Sequence, residues 1–298
     1  MKYSKLISVI TPAYNEGKYI SRSVKSILNQ SYHNIELVVV NDGSTDNTLR
    51  IAKDYNCRIT YIEKKDFTFG RSLNMGAVFS RGDILVFISG HCIPKDENWL
   101  INLIYPIFEK KVGYTYGMQE GRDTTKFSER ILFSKYFPEE TKNPQQGFFC
   151  NNANSAIDRE VWNKYKFDEE VTGLEDMELA KRYSEDGGKI AYIAEAAIYH
   201  IHDETWTQTR RRYERESIAL KKIMPEIQIS FLDTVRYIFV AVITDIKIAL
   251  EEKCLHKEII GIIKFRVAQF TGSYRGNHFQ RKLSKRRKEN YFYPTKRL

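Results

Sequence analysis

A chain of 298 residues, 42% hydrophobic and 29% charged, is long enough to bury a sizeable core, either as one large domain or as one domain with an appendage. Its four cysteines lie far apart without a CxxC pair, which argues against a zinc knuckle or a disulfide framework and sets reduced thiols in a cytoplasmic protein as the expectation. The net charge of +9 is concentrated at one end: residues 281–298 hold eight Lys or Arg against one acid, Glu289, which suits a phosphate-rich partner, either nucleic acid or an anionic membrane surface, or plain solvation.

The opening stretch MKYSKLISVITPAYNE has too short an apolar run for a signal peptide and no small-residue cleavage site. Residues 6–12 read as a short apolar strand. Residues 18–29 carry Ile20, Val24, Ile27 and Leu28 at helical spacing. The β-branched run 35–40 is a second strand, closed by Asn41-Asp42-Gly43-Ser44. A helix is predicted over 45–55, with Thr45 or Asp46 as N-cap. A strand over 59–62, a helix over 71–80 and a strand over 84–88 follow. Unbroken apolar strands separated by helices predict a mainly parallel sheet covered on both faces. Ligands of such sheets bind beyond the carboxyl ends of the strands. The polar turns there are therefore the candidate site: TPAYNE at 11–16, NDGSTD at 41–46, the loop 66–74, and Ser89-Gly90-His91.

No GxGxxG follows the first strand and no GxxxxGK[ST] occurs, so neither a dinucleotide fingerprint nor a P-loop is present. The combination of Pro12-Ala13-Tyr14-Asn15, Gln30, Glu36 and Asn41-Asp42-Gly43-Ser44-Thr45-Asp46 resembles family 2 inverting glycosyltransferases of the GT-A fold. GLEDMELAKRYSEDGGKIAY at 173–192 resembles the acidic helix start that carries the base of that family. The likeness covers about residues 6–215. SGHCIPKDENWL, YGMQEG and NNANSAIDREVW further resemble a rhamnosyltransferase-like bacterial subgroup linked to surface polysaccharides.

The resemblance implies a GT-A domain over 1–225 and a helical appendage with the basic tail over 226–298. It implies a pyrimidine-nucleotide diphosphate sugar as donor and a saccharide or lipid-linked glycan as acceptor, at the cytoplasmic face of the membrane. The rival reading is a non-catalytic subunit that binds sugar nucleotide or polysaccharide. Nucleic acid is not expected, because the basic residues cluster at an end without a recognition motif.

Each site residue then acquires an expected role. Pro12, Ala13 and Tyr14 shape the base pocket, with Glu16 near the ribose. Asp42 accepts from the base or a ribose hydroxyl, since an ionised carboxylate only accepts. The competing role of Asp42 and Asp46 is to cap the next helix. Arg71 approaches the diphosphate or makes a surface ion pair. Asp176 is the general base, and Glu175 binds a donor or acceptor hydroxyl or merely complements the helix dipole.

Relatives with this fold carry Asp-x-Asp where this chain has Ser89-Gly90-His91. His91 with His200 or His202 is a candidate metal site, because residues 200 and 202 of an extended segment face the same side. Imidazole favours Mn2+ over Mg2+. The imidazoles could instead contact the diphosphate without metal, or His91 could be a turn residue. Among Arg210, Arg211 and Arg212, one or two are expected near phosphates and the rest on a solvated face. Residues 226–268 read as two helices with broad apolar faces, suited to packing on the main domain, on a second copy in a homo-oligomer, or on a membrane interface.

Overall fold

The computed structural model describes residues 5–122, 124–279 and 291–292, so the basic stretch 281–298 lies outside the described residues save Tyr291 and Phe292. The chain opens with β1 (Ile7–Ala13), α1 (Ile20–Leu28), β2 (Ile35–Asn41), α2 (Thr48–Asp54), β3 (Arg58–Tyr61), α3 (Phe69–Phe79) and β4 (Ile84–Ile88). It continues through β5 (Cys92–Pro94), α4 (Trp99–Phe108), β6 (Tyr114–Glu120), α5 (Phe127–Tyr136), β7 (Asn154–Asp158), α6 (Arg159–Tyr165), α7 (Glu175–Glu185) and β8 (Ile190–His200). It closes with α8 (Trp206–Ile223), α9 (Phe231–Glu251) and α10 (Leu255–Asn277).

Two units form. The first takes the described residues of Met1–Arg122, Tyr136–Glu170 and Glu175–Ile201. The second takes those of Asp123–Lys135, Val171–Leu174 and His202–Leu298, so the expected boundary after residue 225 falls inside it.

The first unit is built on one eight-stranded sheet in the order β3-β2-β1-β4-β7-β6-β8-β5. β1 pairs in parallel with β2 and β4, β2 with β3, and β6 with β8, while β7 and β5 pair antiparallel. Six strands therefore point one way, and their last residues, Ala13, Asn41, Tyr61, Ile88, Glu120 and His200, share one edge. The cause is local: ISVITPA, IELVVVN and ILVFI are apolar and rich in β-branched residues, as strands buried on both faces must be. Trp99, Leu100, Leu103, Ile104 and Ile107 of α4 pack with Ile7, Val86 and Ile198 on one side. Each such side chain contributes about 1.5–3 kcal/mol by leaving water.

Two helix starts differ from expectation. α2 begins at Thr48 because the Asp46 side chain accepts the Thr48 N–H at 2.9 Å and holds the preceding residues in a turn. α3 begins at Phe69 because Thr68 caps it, its hydroxyl accepting the Arg71 N–H at 3.1 Å.

In the second unit α8 and α10 lie unusually close. A Cβ at Gly272 would stand 2.4 Å from the Arg210 carbonyl oxygen, and one at Gly276 2.3 Å from that of Glu214. α10 thus runs through Gly272 instead of stopping before it. α9 is tied to α10 by a buried pair, Arg266 Nε and Nη2 each donating to Asp245 at 2.7 Å.

Candidate active site

The first two strand-end turns are laced together. Asn15 sits in the left-handed region at φ 56°, which Asn tolerates well, and its side chain accepts the Thr45 N–H at 2.8 Å. The Asn15 N–H donates to Ser44 Oγ at 3.1 Å, that of Glu16 to Thr48 Oγ1 at 2.8 Å, and that of Gly17 to Asp46 Oδ2 at 2.9 Å. Asp46 therefore braces this turn, while Asn47 occupies the N-cap position of α2. Asp42 is buried at the end of β2, beside Ala13, whose carbonyl accepts its N–H at 3.3 Å. Pro12 is paired with Val40 in the sheet. Tyr14 lies under the Lys64 ammonium, 5.4 Å from the ring centre.

Arg71 makes an ion pair with Glu169. Its Nε donates to Glu169 at 2.8 Å and its Nη1 to the Asp66 carbonyl at 3.2 Å.

The next strand ends bring two imidazoles face to face. His91 Nδ1 is 2.8 Å from Glu16 Oε1, and His200 Nδ1 is 2.7 Å from Gln119 Oε1. A carboxylate only accepts, so His91 carries its hydrogen on Nδ1. Gln119 donates through Nε2 to Asn151 Oδ1 at 2.9 Å, which leaves its oxygen to accept from His200 Nδ1. Both Nε2 atoms then present lone pairs to each other, 3.1 Å apart. That contact is favourable only with a cation between them, a proton or a metal ion. The spacing suits two nitrogens bound to one ion at about 2.1 Å each, and the outer acceptors orient the rings as metal-ligating histidines are oriented. The residues present therefore fit a metal. The buried Cys92 thiol, opposite His200 in the β5–β8 pairing, completes a group whose ligand atoms lie within 4.8 Å of one another. Burial pushes that thiol well above its ordinary range.

Ser89 and Gly90 are explained by this geometry. The Ser89 carbonyl accepts the Cys92 N–H at 2.9 Å and turns the chain. A Cβ at Gly90 would stand 2.7 Å from Glu16 Cγ, so only glycine lets Glu16 reach His91. Glu16, expected near the ribose, stands against the His91 imidazole and orients it.

His202 is grouped with Glu129 and Glu204 and not with His91 and His200. β8 ends at His200, so the two-residue alternation stops there. His202 belongs to the second unit, with Nδ1 2.8 Å from Glu129 Oε1. Arg212, from the arginine run, bonds both Glu129 and Glu204 there.

Glu175 and Asp176 are both buried at the start of α7. One residue that sequence reasoning missed holds them: the Asn152 N–H donates to Asp176 Oδ2 at 2.8 Å and its Nδ2 to Glu175 Oε1 at 3.4 Å. The Asn152 oxygen in turn accepts from Tyr114 and Ser155, each at 2.7 Å. Burial, reinforced by the nearby Asp176 charge, pushes the Tyr114 phenol and the Cys150 thiol up, so both stay protonated. Gln119 and Asn152 lie in YGMQEG and NNANSAIDREVW, stretches quoted for the resemblance without a role.

A buried carboxylate pair, a paired imidazole site and a buried Asp42 thus occupy one unit built on mainly parallel strands. The Glycosyl transferase family 2 model matches residues 8–166. The chain belongs to glycosyl transferase family 2. This family 2 glycosyltransferase is 28% identical over 221 residues to the O-antigen chain rhamnosyltransferase RfbN of Salmonella typhimurium, covering 70% of each chain. It is equally 28% identical over 221 residues to WbaN of Salmonella anatum, covering 69% of each. The mannosyltransferase PcManGT from Pyrobaculum calidifontis, solved with GDP-Man and Mn2+, superposes with a TM-score of 0.60 over 90% of this chain and 74% of its own, at 17% identity. Glucosyl-3-phosphoglycerate synthase from Mycobacterium tuberculosis, solved with Mn2+, UDP-Glc and phosphoglyceric acid, does so at 0.56 over 74% and 80%, at 21% identity. These likenesses give the expected GT-A fold, and the family makes the protein a glycosyltransferase. Among the described residues no helix is long and apolar enough to cross a membrane.

Proposed function

We propose that the protein transfers a sugar, with inversion, from a pyrimidine-nucleotide diphosphate donor to a saccharide or lipid-linked acceptor in surface polysaccharide synthesis. Its place of work is the cytoplasmic face of the membrane. The observation that carries the transfer reading is the buried Glu175-Asp176 pair held by Asn152 in the same unit as the His91–His200 pair. The names of the Salmonella relatives favour an O-antigen-type glycan as product.

Pro12, Ala13 and Tyr14 wall the base, and Asp42 accepts a hydrogen bond from the base or ribose. Asp176 takes the proton of the acceptor hydroxyl while that oxygen bonds to C1 of the sugar. The bond from C1 to the diphosphate oxygen breaks on the opposite face, and the nucleoside diphosphate leaves with the electron pair. Asn152 keeps Asp176 aimed at the acceptor, and Glu175 binds a hydroxyl beside it. His91 and His200 would hold a divalent metal, Mn2+ in preference to Mg2+ because the donors are imidazoles. When bound, that ion supplies positive charge against the departing diphosphate.

The test is Asp176→Asn, with donor affinity by calorimetry and turnover measured on the same preparation. Turnover should fall by about 10²–10⁴, the usual contribution of general-base catalysis, while donor affinity stays within a factor of about three. Near-normal turnover would move the base to another residue, Glu175 first.

A further inference from the structure

The second unit leaves a helix surface uncovered. Leu232, Phe239 and Leu250 of α9 are 76%, 66% and 57% exposed, and Val235, Val240 and Ile243 are exposed between them. At 100° per residue, Leu232, Phe239, Ile243 and Leu250 fall on one line along the helix, with Val235 on one flank and Arg236, Val240 and Lys247 on the other. The opposite side is committed: Thr234, Asp245 and Ala249 are buried, Asp245 against Arg266. α10 repeats the arrangement, with Ile260 at 64% exposure and Ile263 and Val267 exposed beside it.

The charges on these faces are mostly positive. On α9 the exposed charged residues are Arg236, Lys247 and Glu251, and on α10 they are Lys257, Lys264 and Arg275. Glu251, at the last position of α9, is the one acid among them, and Asp233 and Glu258 are half-buried. Packing this face on a second copy of itself would set five cations against five with Glu251 alone to match them, at the cost of like-charge repulsion. An anionic lipid surface matches both features: apolar side chains enter the boundary of the acyl chains, and flanking Lys and Arg meet the headgroup phosphates. Neither helix is apolar enough to span a bilayer, so the geometry is that of a helix pair lying on the surface.

We infer that the exposed face of α9, with Ile260, Ile263 and Val267 of α10, is a docking surface for an anionic lipid bilayer. The inference rests on the membrane-face location proposed above and makes no use of the transfer chemistry. It also assigns the apolar part of the attachment to the helices, apart from the basic residues 281–298.

Co-sedimentation of the full chain with phosphatidylcholine vesicles, with and without about one third phosphatidylglycerol, tests it. Binding should be at least tenfold stronger with the anionic lipid, and should weaken as salt screens the headgroups. Leu232→Glu and Phe239→Glu change the two most exposed apolar side chains of α9, so the fold is retained, which circular dichroism checks. Each should lower binding to anionic vesicles at least tenfold, and Arg236→Ser with Lys247→Ser should lower it severalfold. Wild-type protein that stays in the supernatant, or Glu variants that bind as the wild type does, would overturn the proposal. The latter result would leave the basic residues 281–298 as the whole attachment. A light-scattering mass that falls from dimer to monomer in Phe239→Glu, without vesicle binding, would give the face to a second copy. Turnover on a soluble acceptor, read separately, reports on the transfer reading whichever way vesicle binding falls.

Discussion

Glu16 and Gly90 both act on the His91 imidazole, one by accepting its Nδ1 hydrogen at 2.8 Å and the other by leaving room for the first to do so. Glu16→Gln keeps the size and an acceptor oxygen but removes the charge. Loss of an orienting partner of this kind costs about 10–100-fold in metal affinity, and titration calorimetry with Mn2+ should read that loss. Gly90→Ala should act in the same direction, because the new methyl would displace the Glu16 side chain. Unchanged Mn2+ affinity in both variants would remove Glu16 from the site. The sequence placed His91 at a strand end because the apolar run Ile84 to Ile88 stops there. It could not show that Glu16, 75 positions away, would be the residue beside it. His202 falls outside β8 for a related reason: alternation holds only while a strand lasts, and where β8 stops depends on its neighbours.

At the scale of elements, the first four strands were readable to within a residue or two, since a run of β-branched residues between polar turns has few other uses. The order of the remaining strands was not, because β7 enters the sheet antiparallel between β4 and β6 from more than thirty positions away. α8 was legible only as a helix face at Arg210, Arg211 and Arg212, without its extent. Its polar surface has no strong apolar stripe, and it is fixed by the Thr205–Gln208 capping box and by the two glycines of α10. The α9–α10 hairpin invites a direct test. Arg266→Met leaves Asp245 buried without its partner and should destabilise the protein by about 3–5 kcal/mol in urea denaturation. The double change Arg266→Met with Asp245→Leu should recover most of that loss, since a buried ion pair is often replaceable by apolar groups. A double variant no better than the single one would mean the pair specifies the hairpin geometry itself.

For the molecule as a whole, acid is the condition under which the second unit should weaken first. Burial works to raise the Glu129 carboxyl, but the hydrogen bond from His202 and the charges of His202, Arg212 and Lys126 override it and hold the group at about 2. Its folded value is thus depressed below the unfolded one near 4.5. The stability it contributes is present above that unfolded value and is lost as pH falls toward about 2, some 3 kcal/mol at about 1.4 kcal/mol per pH unit. Hydrogen exchange of residues 124–135 and 202–223 between pH 6 and pH 2.5 should show progressive opening, and Glu129→Gln should open the same residues at neutral pH. Equal protection at both ends of that range would refute the account.

Elsewhere in the molecule, residues 15–17 are bound to residues 44–48 by hydrogen bonds that cross some thirty positions. A change at Thr45 is felt at Asn15, and a change at Asp46 is felt at Gly17. Paired substitutions there will not sum, as is general for residues in one hydrogen-bond network. The two stretches are separate in the chain but form a single heritable trait, so that a lineage altering one inherits pressure to alter the other.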